Sequence, residues 1–211
     1  KLSLSPNLIS SVTTVSFSDW WGIMMTKSAG VDGFFIHPVA ELEVIIGNGG
    51  IGLEIFSQCP KVDVIVVPFG GGGMISGIAL AMKALGKKPL IVACEIESST
   101  PLKSAKSKGK PVKVERGKSW IDGIGSTSVL PEMWPLLDEL VDSVIVVSHL
   151  EAEEALRSLS SKAHLVSEGA GAVALAAAMK PQFSGKNVVA VISGGNIDSK
   201  IYGEILNSSY S

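Results

Sequence analysis

Cysteine is scarce in this chain. Cys59 and Cys94 stand alone among 211 residues, which excludes a disulfide framework. Both flank apolar segments, so buried free thiols in a reducing, cytoplasmic compartment are expected. An excess of one charge is also lacking. Eighteen Lys and Arg against 20 Asp and Glu leave a net charge of −2, which argues against nucleic acid as a general partner. The basic run Lys103, Lys106, Lys108, Lys110, Lys113, Arg116 and Lys118 carries no interleaved aromatics for base stacking, so it reads as a solvated loop and helix face. Long apolar runs are missing as well. The longest, Ala170 to Met179, is mostly Ala and Gly and too short to span a bilayer. Lys1 leads into a polar, Ser-rich stretch and not into the apolar core of a signal peptide. No membrane and no nucleic-acid partner is expected.

What the chain does have is apolar content. At 46% hydrophobic residues and a mean hydropathy of +0.38, it can bury a sizeable core, with surface left over for a partner or a further segment to cover. Its most informative stretch is Pro68-Phe69-Gly70-Gly71-Gly72-Gly73-Met74. The β-branched run Val62 to Val67 before it reads as a buried parallel strand. The apolar, Ala-rich segment after it reads as a helix through about Leu85. Strand, four glycines and helix make an anion cradle. Backbone N–H groups converge where no side chain intervenes, and the helix N-terminus adds partial positive charge. A phosphate is the natural occupant; the plain alternative is a surface loop. No Gly-Lys-Ser/Thr follows, so this is not a triphosphate loop. A dinucleotide site stays open as an alternative, because Glu95 ends the next strand.

Elsewhere, short apolar strands alternate with helices. Helical spacing is expected over Phe17–Ala29, Leu42–Phe56, Ser99–Lys108, Val129–Leu140, Leu150–Ser161, Glu168–Met179 and from near Asp198. Strands are expected at Phe34–Ile36, Leu90–Ala93, Val141–Val147 and Val188–Ile192, with a weaker signal at Val12–Val15 and a turn at Gly30–Gly33. Ser148 and Glu151 form a capping-box pattern. The four glycines within 42–56 require another backbone to approach closely. The alternation predicts an α/β fold, an open, mostly parallel twisted sheet with helices on both faces and its ligand at the carboxyl ends of the strands. At two further turns, Ser193-Gly194-Gly195-Asn196 exposes a hydroxyl, and Trp120 to Gly125 can line the same crevice.

These motifs, in order and spacing, resemble the serine/threonine dehydratases and serine racemases, fold-type II pyridoxal phosphate enzymes. The matching segments are Phe35-Ile36-His37-Pro38, Ile46 to Ile55, Pro68 to Ala79, Ala93-Cys94-Glu95, Asp122-Gly123, Glu168 to Ala172 and Ser193 to Asp198. The resemblance covers roughly residues 15–205. It implies that the backbone of Gly70, Gly71, Gly72, Gly73 and Met74 holds the cofactor phosphate and that Ser193 bonds the pyridine nitrogen. It places Gly123 near the ring face and Glu168 near the same pocket. A residue at the position of Glu95 is a cation ligand in some relatives. Here Pro101 stands where its acidic partner would be, with Glu97 as a possible substitute, so no metal is expected. The resemblance further implies dehydratase (deaminase) chemistry that converts L-serine, L-threonine or a related 3-hydroxy amino acid to a 2-oxo acid and ammonia. Racemisation, or a non-catalytic domain that binds pyridoxal phosphate or another phosphate ligand, is the alternative.

One departure is large. The family's Ser-Phe-Lys-x-Arg-Gly and Ser-x-Gly-Asn-His segments do not occur, and Lys27 reads as a surface lysine. The catalytic residues therefore stay unassigned. The chain is expected to be a fragment, with residues 1–33 the end of a small domain and 34–211 an incomplete large domain. It would be completed by the missing N-terminal segment as a second chain, or act as a homodimer of the full enzyme.

Overall fold

The computed structural model describes Gly22, Ile23, Thr26 and residues 35–208. These fall in two compact units, one ending at His37 and one starting at Pro38. In the first, Gly22, Ile23 and Thr26 are helical, and the Thr26 hydroxyl donates to the Gly22 carbonyl at 2.9 Å. Lys27, Phe34, the rest of the expected helix 17–29, the strand signal at Val12–Val15 and the turn Gly30–Gly33 lie outside the described residues. Phe35 and Ile36 form no strand; the Phe35 ring instead packs edge-on against His37, with centroids 6.1 Å apart.

The second unit starts with helix α1 (Leu42–Gln58), followed by β1 (Val64–Pro68), α2 (Gly73–Ala84), β2 (Leu90–Ile96) and α3 (Pro101–Lys108). It continues through α4 (Trp134–Leu140), β3 (Ser143–Val147), α5 (His149–Ala163), α6 (Gly169–Ala178), β4 (Val188–Ala190) and α7 (Ser199–Asn207). The sheet order is β3-β2-β1-β4 and every pairing is parallel, with Val64 beside Leu90 and Val188, and Val92 beside Ser143. The expected α/β architecture is borne out.

Alternation along the strands decides which helices cover which face. Val64, Val66, Val92, Cys94, Ile96 and Val147 share a core with residues of α5, α6 and α7, including Leu156, Val173 and Ile205. The intervening Ile65, Val67, Ile91 and Ala93 point to the opposite face and are also buried, and α2 packs on β1 and β2. Helix α6 contacts all four strands, because its Ala and Gly side chains let its backbone lie low on the sheet.

Of the four glycines of α1, Gly49 and Gly52 serve a backbone contact, whereas a Cβ at Gly47 or Gly50 would meet nothing within 4 Å, which corrects the expectation for these two. A Cβ on Gly77 of α2 would lie 2.3 Å from the Ile45 carbonyl oxygen and 2.8 Å from the Gly49 nitrogen; one on Gly52 would lie 3.0 Å from the Ile78 carbonyl oxygen. An interior glycine costs a helix about 1 kcal/mol relative to alanine, and here the helix–helix contact offsets that cost.

Prolines and caps shift several boundaries. Val129 and Leu130 are buried as irregular chain, and α4 starts only at Trp134, with Pro135 in its first turn, where the missing N–H costs nothing. Likewise α3 starts at Pro101. The Ser148–Glu151 capping box forms as expected and admits His149 to α5. Asp198 caps α7, accepting from the amides of Lys200 and Ile201 at 2.8 and 3.1 Å. Of the two thiols Cys94 is buried, but Cys59, at the end of α1, is only half-buried, which corrects the expectation for it. Among the described residues no helix is long and apolar enough to cross a membrane.

Candidate functional site

Strand β1 ends in the interior, where the Phe69 amide still pairs with the Cys94 carbonyl at 2.9 Å. The chain then turns through Gly70, Gly71 and Gly72 into α2. Gly72 is the N-cap of that helix at φ +99°, and a Cβ there would lie 2.9 Å from the Leu137 side chain. Glycine is therefore required twice over, by backbone conformation and by space. The first helical bond runs from the Ser76 amide to the Gly72 carbonyl at 3.1 Å. The amides ahead of Ser76 in the first turn lie beyond the reach of the helical ladder, and the helix dipole adds to their positive potential. Strand, glycine turn and helix thus follow one another as expected from the sequence.

A cavity of about 270 Å³ opens on this turn, lined by Gly70, Gly71, Gly72, Gly73, Met74, Gly123 and Ser193, with Pro38, Val39 and Asn48 on the side of α1. Seven of the eight candidate residues thus come together on one cavity. The eighth, Glu168, stands behind it. Its carboxylate accepts from the Ser193 hydroxyl at 3.3 Å, lies 2.9 to 3.0 Å from where a Cβ on Gly194 would be, and its amide donates to the Gly194 carbonyl at 2.9 Å. The same carboxylate is 3.7 Å from a Cβ position on Gly123. It is packed against Gly123 and Gly194, neither of which carries a side chain.

Sequence reasoning missed a hydroxyl chain behind the cradle. Ser99 donates to the Ser126 carbonyl at 2.7 Å, and Ser126 in turn donates to the Gly70 carbonyl at 3.1 Å. The Gly70 carbonyl oxygen is thereby occupied. Asn48 was also missed. It holds its place through a bond from its amide to the Val44 carbonyl at 2.8 Å; its signal was a polar side chain set among the glycines of that helix.

Glu95 serves a structural purpose. Its two carboxylate oxygens accept from the Leu102 amide at 2.7 Å and the Lys103 amide at 3.0 Å, capping α3 from β2. Burial pushes its pKa up to about 7, although these two amides and Lys103 pull the other way. With both oxygens engaged, it is not free to bind a ribose, which removes the support for a dinucleotide site. Glu97 is likewise engaged: its carboxyl is held below the ordinary range by hydrogen bonds from the His149 backbone and ring. Among the described residues no three His, Cys, Asp or Glu gather as a metal site.

The chain matches the family model described as "Pyridoxal-phosphate dependent enzyme" over residues 24–194. It is 37% identical over 174 residues to an L-threonine ammonia-lyase of Thermotoga maritima, a match covering 82% of this chain and 43% of that protein. It is 37% identical over 173 residues to the serine racemase of Mus musculus, covering 79% and 51%. Of the solved structures, maize serine racemase superposes with a TM-score of 0.74 at 32% identity, over 80% of this chain and 53% of the other. A T.th. threonine deaminase does so with a TM-score of 0.72 at 32% identity, over 77% and 57%. The chain spans about half the length of the curated relatives it matches.

Proposed function

The chain belongs to the family of pyridoxal-phosphate-dependent enzymes, and from that premise we propose that it supplies the phosphate- and ring-binding wall of a lyase. The reaction of the whole enzyme is net deamination of L-serine, L-threonine or a related 3-hydroxy amino acid: the β-hydroxyl leaves as water, one water is taken up at the α-carbon as ammonia departs, and a 2-oxo acid remains. The observation that carries the reading is that the left-handed glycine that opens α2 and Ser193 line one cavity. That fits a ligand that carries both a phosphate and a hydrogen-bonding ring.

In this assignment the amides of Gly70, Gly71, Gly72, Gly73 and Met74 hold the phosphate, and Gly123 gives room for the flat face of the ring. Ser193 meets the ring nitrogen. Glu168 keeps Ser193 in place, and its carboxylate competes for the Ser193 proton. Bound pyridoxal phosphate supplies an electron sink, and a hydroxyl partner at its ring nitrogen makes that sink weaker than a carboxylate partner would, which favours prompt loss of a β-hydroxyl. The chain's own contribution is to bind and orient. Among the described residues no lysine lines the cavity, so the contacts assigned here are non-covalent. Residues 34–211 form the large domain and 1–33 the end of a smaller one, with a further segment or a second copy completing the site.

The test compares pyridoxal phosphate with pyridoxal, which lacks the phosphate, by fluorescence titration of the chain. Saturable binding of the first and at least tenfold weaker binding of the second is expected. Equal affinities would show that the glycine turn does not hold a phosphate. For the full-length enzyme, formation of 2-oxo acid from L-serine and L-threonine, assayed beside D-serine, distinguishes the lyase from a racemase.

A further inference from the structure

Outside the cavity, three polar side chains from three segments form one connected chain. His149, the first residue of α5, places Nε2 at 2.9 Å from the Ser119 hydroxyl and Nδ1 at 3.1 Å from a Glu97 carboxylate oxygen. That same oxygen accepts the His149 backbone N–H at 2.8 Å. Ser119 also accepts the Ile121 amide at 3.0 Å. One arrangement of protons satisfies every contact: Nδ1–H donates to Glu97, the Ser119 hydroxyl donates to Nε2, and the Ile121 amide donates to the Ser119 oxygen.

The chain of bonds ends on the loop that forms a cavity wall. Two residues past Ile121 lies Gly123, which lines the cavity. Trp120 and Ile121 rest on Gly169, with side-chain atoms 2.8 and 2.6 Å from where a Cβ would stand, directly after Glu168. Gly123 itself abuts Ala170, whose Cβ is 3.2 Å from a Cβ position on that glycine. Wherever the turn at Ser119 sits, the wall at Gly123 and the cover over Glu168 follow.

Capping of α5 does not explain the imidazole. Ser148 and Glu151 already cap that helix, and the bond from the His149 backbone to Glu97 needs no particular side chain. What requires a ring with two nitrogens is the span from Glu97 at the end of β2 to Ser119. We infer that His149 is a positioning residue for the cofactor site, acting through Ser119 on the turn that carries Gly123. This rests on the cofactor reading above.

The test uses the full chain, wild type and the variants H149A, S119A, S119T and the double H149A/S119A. Two quantities are read: the dissociation constant of pyridoxal phosphate, and hydrogen exchange of the backbone amides from Ser119 to Ile124. In H149A the affinity falls about fivefold, as for one lost hydrogen bond. Exchange at Ile121 and Gly123 quickens while the amides of β1 are unchanged. S119A behaves alike, the double variant is no worse than either single one, and S119T is restored, a pattern that general destabilisation would not give. Unchanged exchange at Ile121 and Gly123 in H149A, or additive losses in the double variant, would overturn the inference. Failure of the wild-type chain to bind pyridoxal phosphate would instead overturn the functional reading on which it rests.

Discussion

Ser193 is an exposed residue whose side chain is held by a 3.3 Å contact to Glu168. Replacing it with alanine removes little packing, so the thermal midpoint should hardly move. The affinity for pyridoxal phosphate should fall several-fold, as befits one hydrogen bond worth about 1 kcal/mol. Calorimetry and titration of S193A check both halves; unchanged affinity would take Ser193 out of the site. The two thiols make a second residue-scale contrast. Cys94 is buried on β2, and desolvation, with Glu95 beside it, pushes its pKa far up. Cys59 is half-buried. Iodoacetamide at pH 8 should label one cysteine in the folded chain and two after denaturation, which mass spectrometry reads directly. That the glycine turn and Ser193 meet on one cavity was legible in the sequence, because both follow strands of a parallel sheet at their carboxyl ends. Glu95 was not, since only the fold shows that α3 starts beneath its carboxylate.

Helix α3 is where one element meets pH. The Glu95 carboxyl that caps it has a pKa of about 7 in the fold against 4.5 for an ordinary glutamate. Between those values the folded chain holds a proton that the unfolded chain has released, so stability should fall as pH rises from about 4.5 to 7, by up to about 3 kcal/mol. Denaturant melts of wild type and E95Q across that window check the sign. The wild type should weaken with rising pH and E95Q should stay flatter; parallel curves would show that the carboxyl is not desolvated as described. Element existence was readable from periodicity, and two of the four glycines of α1, Gly49 and Gly52, mark a close backbone contact with α2, while Gly47 and Gly50 do not. Element boundaries were less so. Val129 to Trp134 has the apolar content of a helix, yet Pro131 and Pro135 delay α4, and buried irregular chain has the same composition as a buried helix turn. At Phe34–Ile36 a short apolar run suggested a strand; of these, the described Phe35 and Ile36 are taken up by no partner strand among the described residues.

At the scale of the molecule, the candidate site sits where the carboxyl ends of the neighbouring strands β1 and β4 meet, as open parallel sheets place their ligands. The alternation of elements foretold a parallel sheet. The order β3-β2-β1-β4 could not be read beforehand, because it depends on which strands pair across long stretches of chain, and no local pattern encodes that. The whole-molecule consequence of a cavity with no lysine among its described lining residues is chemical. Borohydride reduction of the chain with pyridoxal phosphate, followed by mass spectrometry, should leave no lysine labelled at full occupancy. Stoichiometric label on a single lysine would mean that the chain carries its own attachment point.

The account turns on the claim that the glycine turn opening α2 holds the phosphate of pyridoxal phosphate. The most direct measurement is equilibrium titration of the chain and of G72D with that cofactor, in the presence and absence of inorganic phosphate. Aspartate at this position adds negative charge where the phosphate sits and forces a side chain into the left-handed backbone at φ +99° beside Leu137. The account predicts saturable one-to-one binding to the wild type, weakened by inorganic phosphate, and no saturable binding to a G72D chain whose circular dichroism shows it to be folded. Equal affinity in the two chains, or wild-type binding indifferent to phosphate, would contradict it.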